Sequence, residues 1–102
     1  MFPRDDEFYA LLKEIDTLLP KVAKVHGKEH PELVQLNEEY PMFKENFDDD
    51  TFLIFAKITY DSFKKMTNNF ALPDDACEAY TKLYNDFKAL EEFFEIIHKY
   101  GL

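Results

Sequence analysis

The stretch His26-Gly27-Lys28-Glu29-His30-Pro31 constrains this chain most, because it closes one helix and opens another within a few residues. Gly27 is the natural left-handed terminator for the incoming helix, since a residue without Cβ reaches φ > 0 at no steric cost. Pro31 suits the first position of the outgoing helix, where a missing N–H does no harm, and Glu32 complements the dipole of its first turn. A helical hairpin is therefore built into the chain. With only 2 glycines and 5 prolines in 102 residues, there are few places to turn a many-stranded sheet, and the remainder reads as more helix.

The apolar residues agree. Asp5 and Asp6 can cap a first helix that carries Phe8, Leu11, Leu12, Ile15, Leu19 and Val22 on one face. Pro20 removes a backbone donor inside it, so a kink or break is expected there. The second helix carries Leu33, Leu36, Tyr40, Phe43 and Phe47, with a kink or restart at Pro41. Asp48-Asp49-Asp50-Thr51 is a turn and N-cap signal. A third helix follows, with Phe52, Phe55, Thr59, Phe63, Met66 and Phe70 as its expected buried stripe. Asn68-Asn69 ends it, and Leu72-Pro73-Asp74-Asp75 should cap the fourth. That helix presents Cys77, Tyr80, Tyr84, Phe87, Leu90, Phe94 and Ile97, widened by Phe93 and Ile96, and should stop at Gly101. Four helices with short connections predict one all-α domain, residues 1–102, an up-down-up-down four-helix bundle.

Composition narrows the function classes. A net charge of −9 opposes binding to nucleic acid and to anionic membrane surfaces. The longest apolar run, Phe52 to Ala56, is far too short to span a bilayer. Met1-Phe2-Pro3-Arg4 lacks the apolar stretch of a signal peptide. The single cysteine, Cys77, has no internal disulfide partner and suits a reducing compartment. A cytoplasmic protein is expected. Eleven Phe and 6 Tyr against no Trp predict an unusually aromatic core.

Few residues invite chemistry. His26 and His30 are four apart, the spacing of two metal ligands on a continuous helix, but Gly27 and Pro31 argue against continuity there. A structural role near the helix ends is the simpler reading for both. Asp48, Asp49 and Asp50 lack the glycine and terminal glutamate of a calcium loop and read as a solvated cap. Cys77 lies near a helix N-terminus, a setting that favours a thiolate, yet no histidine is close to it in sequence. A half-buried structural cysteine is therefore expected. His98 sits where a protonated imidazole would favour the end of the last helix. The acidic pairs Asp5-Asp6, Glu38-Glu39 and Glu91-Glu92 are sequence neighbours whose side chains diverge on a helix, so they read as solvated faces. No phosphate loop, nucleophile elbow or Cys-x-x-Cys is present.

The segment Lys24-Val25-His26-Gly27-Lys28-Glu29-His30-Pro31-Glu32-Leu33 resembles a V-H-G-x-x-H-P-x-L element of the hemerythrin-like iron–sulfur cluster repair proteins. Pro73-Asp74-Asp75-Ala76-Cys77 is similar to their P-P-x-E-A-C, and Tyr84 to Leu90 resembles the helix that follows. In order, the two matches take in nearly the whole chain. The resemblance implies a hemerythrin-like bundle with a di-iron site held by inward-facing histidines and glutamates. It assigns those ligand positions to the region Asp5 to Tyr9, to Asp50 and Ile54, near Ala56, and to Ile97 and Gly101. Of these only Asp50 could ligate iron, and His98 lies one residue off, about 100° around the helix.

The expected function is therefore that of a non-catalytic, ligand-depleted relative acting as a protein-interaction or regulatory module. No catalytic, cofactor-binding or metal residues are assigned, and no cofactor is expected. The partner is not named by the sequence. A homodimer through Phe93, Phe94, Ile96 and Ile97 is one form it could take. The alternative is a di-iron protein that repairs stress-damaged clusters, using Asp50, His26, His30 and His98 in an altered geometry.

Overall fold

The computed structural model describes residues 5–100, and the side chains of 5–95. It contains α1 (Asp6–His26), α2 (Pro31–Glu45), α3 (Leu53–Met66) and α4 (Glu78–Tyr100), with a 3-10 turn over Asp50–Phe52 before α3. No strand occurs among the described residues. The capping signals act locally. Asp5 Oδ1 accepts the Phe8 N–H at 2.9 Å, Asp49 Oδ1 accepts that of Thr51 at 2.8 Å, and Pro31 opens α2.

Consecutive helices run against one another. Phe8, at the start of α1, packs its ring on Phe47 just beyond α2 and on Phe93 late in α4. The Tyr40 hydroxyl donates to the Leu12 carbonyl, tying α2 to α1. The Tyr60 hydroxyl donates to the Phe87 carbonyl, tying α3 to α4. Both phenols are buried, and each finds the acceptor that burial demands. At the far end His26 closes α1 beside Tyr80 at the start of α4. The four helices thus enclose one core.

That core is aromatic, as composition implied. Phe43 touches the rings of Tyr40, Phe47, Tyr60, Phe63 and Phe94. Phe70 stacks on Phe87 with centroids 5.0 Å apart. The expected stripes of α1 and α2 are buried apart from the half-buried Leu11, and that of α4 is buried from Tyr80 to Phe94, with Leu83 added. Ile97 and the expected stop at Gly101 lie outside the described residues.

Four expectations are corrected. On α3 the buried stripe is Leu53, Ala56, Tyr60 and Phe63, whereas Phe52 and Phe55 are exposed, so the sequence-based register is one residue off at this end. Of the kink or break expected at each proline, the break does not occur. α1 runs through Pro20 and α2 through Pro41, both on the solvent side, where water can satisfy the carbonyls left without a donor. Gly27 is not left-handed, with φ −61°. It is needed for close approach instead, because a Cβ there would collide with the Ala23 carbonyl and lie 2.7 Å from Val34 Cγ2. Finally, Asp74 and Asp75 do not cap α4. Cys77 does, its carbonyl accepting from Thr81 N–H and its Sγ from Tyr80 N–H at 3.5 Å.

The exit from α3 is strained. Asn68, Asn69 and Phe70 have φ of 54°, 62° and 56°. Asparagine tolerates the left-handed region, but a bulky side chain such as that of Phe70 does not. Burial of the Phe70 ring and the 2.9 Å bond from its N–H to Thr67 Oγ1 hold it there.

Candidate functional site

Three places on the molecule could hold a site: the bundle interior, the end where the α1–α2 connector meets the start of α4, and the outer faces. In the interior, Ala56 marks one of the described ligand positions and is buried. Asp50 is exposed in the 3-10 turn, and Ile54 is 53% exposed on the outer side of α3. Phe8 occupies the Asp5 to Tyr9 region as a core side chain. Ile97, His98 and Gly101 lie outside the described side chains. No group of three or more His, Cys, Asp or Glu among the described residues is arranged to hold a metal ion.

One ionisable pair is built into the wall of the bundle. Asp86 on α4 is 5% exposed, and burial, then a hydrogen bond with Glu14 on α1, pushes its carboxyl up to about 7. The bond with Asp86 and that with Lys82 hold Glu14 below the usual carboxylate range. Lys82 Nζ lies 2.8 Å from Glu14 Oε1. Burial thus favours the neutral form of Asp86, while Lys82 and Asp86 favour the charged form of Glu14. A groove of about 710 Å3 beside them, lined by Ala10, Lys13, Thr17, Leu18 and Ala79 among others, offers mixed charges and no convergent set of polar groups.

The connector end has more chemistry. Helix capping turns Cys77 toward the end of α1, and His26 Nε2 lies 3.3 Å from its Sγ, although the two residues are 51 apart in sequence. Cys77 is exposed rather than half-buried. His30, freed from any capping duty by Pro31, directs Nε2 to both carboxylate oxygens of Asp75, at 3.0 and 3.1 Å, while Nδ1 faces Glu32 at 3.3 Å. The bond to Asp75 raises the His30 imidazole above its ordinary value, and the same bond lowers the Asp75 carboxyl. The Tyr80 ring contacts both imidazoles. A cleft of about 350 Å3 next to it is lined by His30, Glu32, Thr67, Tyr80 and Tyr84 among others. The structural roles expected for His26 and His30 are thus cross-connections between the two loops. Sequence reasoning missed the Cys77–His26 pair because only the tertiary fold brings them together. The similarity of Tyr80 and Tyr84 to a core stripe also concealed that Tyr80 backs this corner.

The outer faces differ sharply. Phe93 and Phe94, expected to form an interface, turn inward: Phe94 is 1% exposed and Phe93 packs against the core. The exposed apolar surface lies on α3 instead. Phe52, Ile54, Phe55 and Ile58 are each about half exposed, within two turns of helix, and the rings of Phe52 and Phe55 are in contact at 6.2 Å. No helix among the described residues is long and apolar enough to cross a membrane.

No family model matches the chain, and no solved structure matches it.

Proposed function

We propose that this chain is a non-catalytic, ligand-depleted relative of the hemerythrin-like iron–sulfur cluster repair proteins. It works as an interaction module, pairing with a second copy through the outer face of α3. The exposed run Phe52, Ile54, Phe55 and Ile58 carries this reading. Folding alone does not call for it, because Leu53, Ala56, Tyr60 and Phe63 already complete the core side of α3. Side chains of roughly 200 Å2 each, half exposed, give an apolar patch of about 400 Å2, the size that marks interaction surfaces. That is half of the roughly 800 Å2 per partner in a stable interface, leaving the remainder for a polar rim.

Charge favours a second copy as the occupant. Lys57 and Asp61 beside the patch already pair within the helix at 2.7 Å, and Lys64 pairs with Glu91. These pairs neutralise charges beside the patch within each copy, which eases the approach of two chains of net charge −9. The antiparallel neighbours and the short α1–α2 connector support a hemerythrin-like topology, with α1 and α2 bending at Pro20 and Pro41. An exposed, unpaired thiol supports a reducing, cytoplasmic setting. The interior supports the metal-free state, since its centre is filled by Phe43, Tyr60, Phe63, Phe87 and Phe94.

One preparation tests both parts. Protein from iron-supplemented cells is expected to carry no stoichiometric iron and to sediment as a dimer in the micromolar range. The double variant Phe55→Ser, Ile58→Ser is expected to sediment as a monomer with unchanged helical circular dichroism. Two irons per chain would overturn the ligand-depleted reading, and a monomeric wild type would overturn the dimer.

A further inference from the structure

The interaction surface on α3 leaves the connector end unexplained, and the chemistry there is of another kind. We propose that Cys77 and His26 form a thiol–imidazole pair that exchanges with small aminothiol disulfides, making Cys77 a site of reversible mixed-disulfide modification. The proposal rests on the geometry of this corner and not on the dimer.

Three observations meet at the sulfur. Sγ is exposed, so a small disulfide can reach it. His26 Nε2 lies 3.3 Å away, within reach to take the thiol proton. Sγ also accepts the Tyr80 N–H in the first turn of α4, a donor that stabilises negative charge as it develops on sulfur. The base comes from α1 and the nucleophile and its donor from the start of α4, so the arrangement exists only in the folded chain.

The step balances without a further reagent. Cys77 Sγ attacks one sulfur of R–S–S–R as its proton passes to His26 Nε2. The bond from Sγ to R–S forms, the original S–S bond breaks, and the departing thiolate takes the proton back from His26 to leave as R–SH. Cys77 is oxidised to the disulfide level and the departing sulfur is reduced to a thiol. The modification is stoichiometric, with no turnover.

The surroundings select the charge of R. Asp75 and Glu32 flank the corner, with the His30 imidazole between them, and Asp74 and Glu78 are the sequence neighbours of the cysteine turn. Two carboxylates around one imidazole leave this trio net negative in either state of the ring, which favours an ammonium-bearing disulfide over a carboxylate-bearing one.

Cystamine and oxidised glutathione are the probes, with mixed disulfide read by intact mass in wild-type, His26→Gln and Cys77→Ser proteins. Wild type is expected to react with cystamine at least about tenfold faster than His26→Gln near neutral pH, the scale of a modest general-base contribution. The two rates should converge at strongly alkaline pH, where hydroxide takes the place of the imidazole as base. That convergence separates a base from a residue that merely shapes the loop, and unchanged circular dichroism confirms that the variant is folded. Cys77→Ser should gain no mass. Cystamine should outpace oxidised glutathione by several-fold at low salt. Equal rates for wild type and His26→Gln near neutral pH would overturn the pair, and equal rates for the two disulfides would overturn the aminothiol assignment.

Discussion

Phe43→Ala is expected to remove about 3–5 kcal/mol of stability, the range for truncating a fully buried Phe. Phe43 is 0% exposed and its ring contacts aromatic side chains from α2, α3, α4 and the turn after α2. Its loss opens a hole that no neighbour can close, because those neighbours are fixed to one another and Tyr60 is also bound to the Phe87 carbonyl. A domain of 102 residues has roughly 5–15 kcal/mol in total. The variant should therefore unfold at much lower urea and lose much of its near-ultraviolet tyrosine signal. In protein dilute enough to be monomeric, Phe55→Ala, the same substitution twelve residues on, should change stability by no more than about 0.5 kcal/mol, as at other surface positions. Equal losses for the two would contradict the register of α3.

Asp86→Asn should make the protein more stable above neutral pH. The folded Asp86 carboxyl is raised above its ordinary 3.8 to about 7, so the stability it contributes is fully present at acid pH and is lost as pH rises through about 7. Glu14 runs the other way. Its lowered value makes its contribution present above 4.5 and lost as pH falls. Together the two place the optimum at about pH 4, and stability should fall from there to about pH 7 as the unfolded chain ionises Asp86 while the folded chain keeps it protonated. An asparagine keeps the donor to Glu14 and cannot ionise. At about pH 4 the two should nearly coincide, and the variant should gain on wild type from there to about pH 7, then hold a lead on the order of a few kcal/mol. Melting curves across that interval check it, and parallel curves at all pH values would contradict the raised Asp86 carboxyl.

Which features were legible in the sequence follows from their physical range. The buried faces of α1 and α2 follow from period alone, since polar residues separate their apolar positions cleanly. α3 misled because it is apolar on two sides. Choosing the larger side chains, Phe52 and Phe55, put the wrong face inward, whereas the core takes the smaller Leu53 and Ala56. The error is informative, because the excess of large side chains is what forms the exposed patch. The need for glycine at 27 was visible, but its reason lay in the packing of Val34 from the next helix. The contact between His26 and Cys77 depends on how α4 returns beside α1, and no local pattern encodes it. Asp86 was hidden for the same reason, as a single acid between Asn85 and Phe87 that carries no signal until α1 covers it.

Disulfide trapping tests the α3 interface most directly, because it reports where two copies touch. In a Cys77→Ser background, cysteines placed singly at Ile54, Phe55 and Ile58 lie within the patch, and a cysteine at Val25, 70% exposed on α1, serves as the remote control. In an isologous dimer, a residue near the two-fold axis faces its own copy, so at least one patch cysteine should cross-link under mild oxidation at low protein concentration. The Val25→Cys protein should stay monomeric on a non-reducing gel. Cross-linking at Val25 equal to that in the patch, or none at any of the three patch positions, would contradict the account.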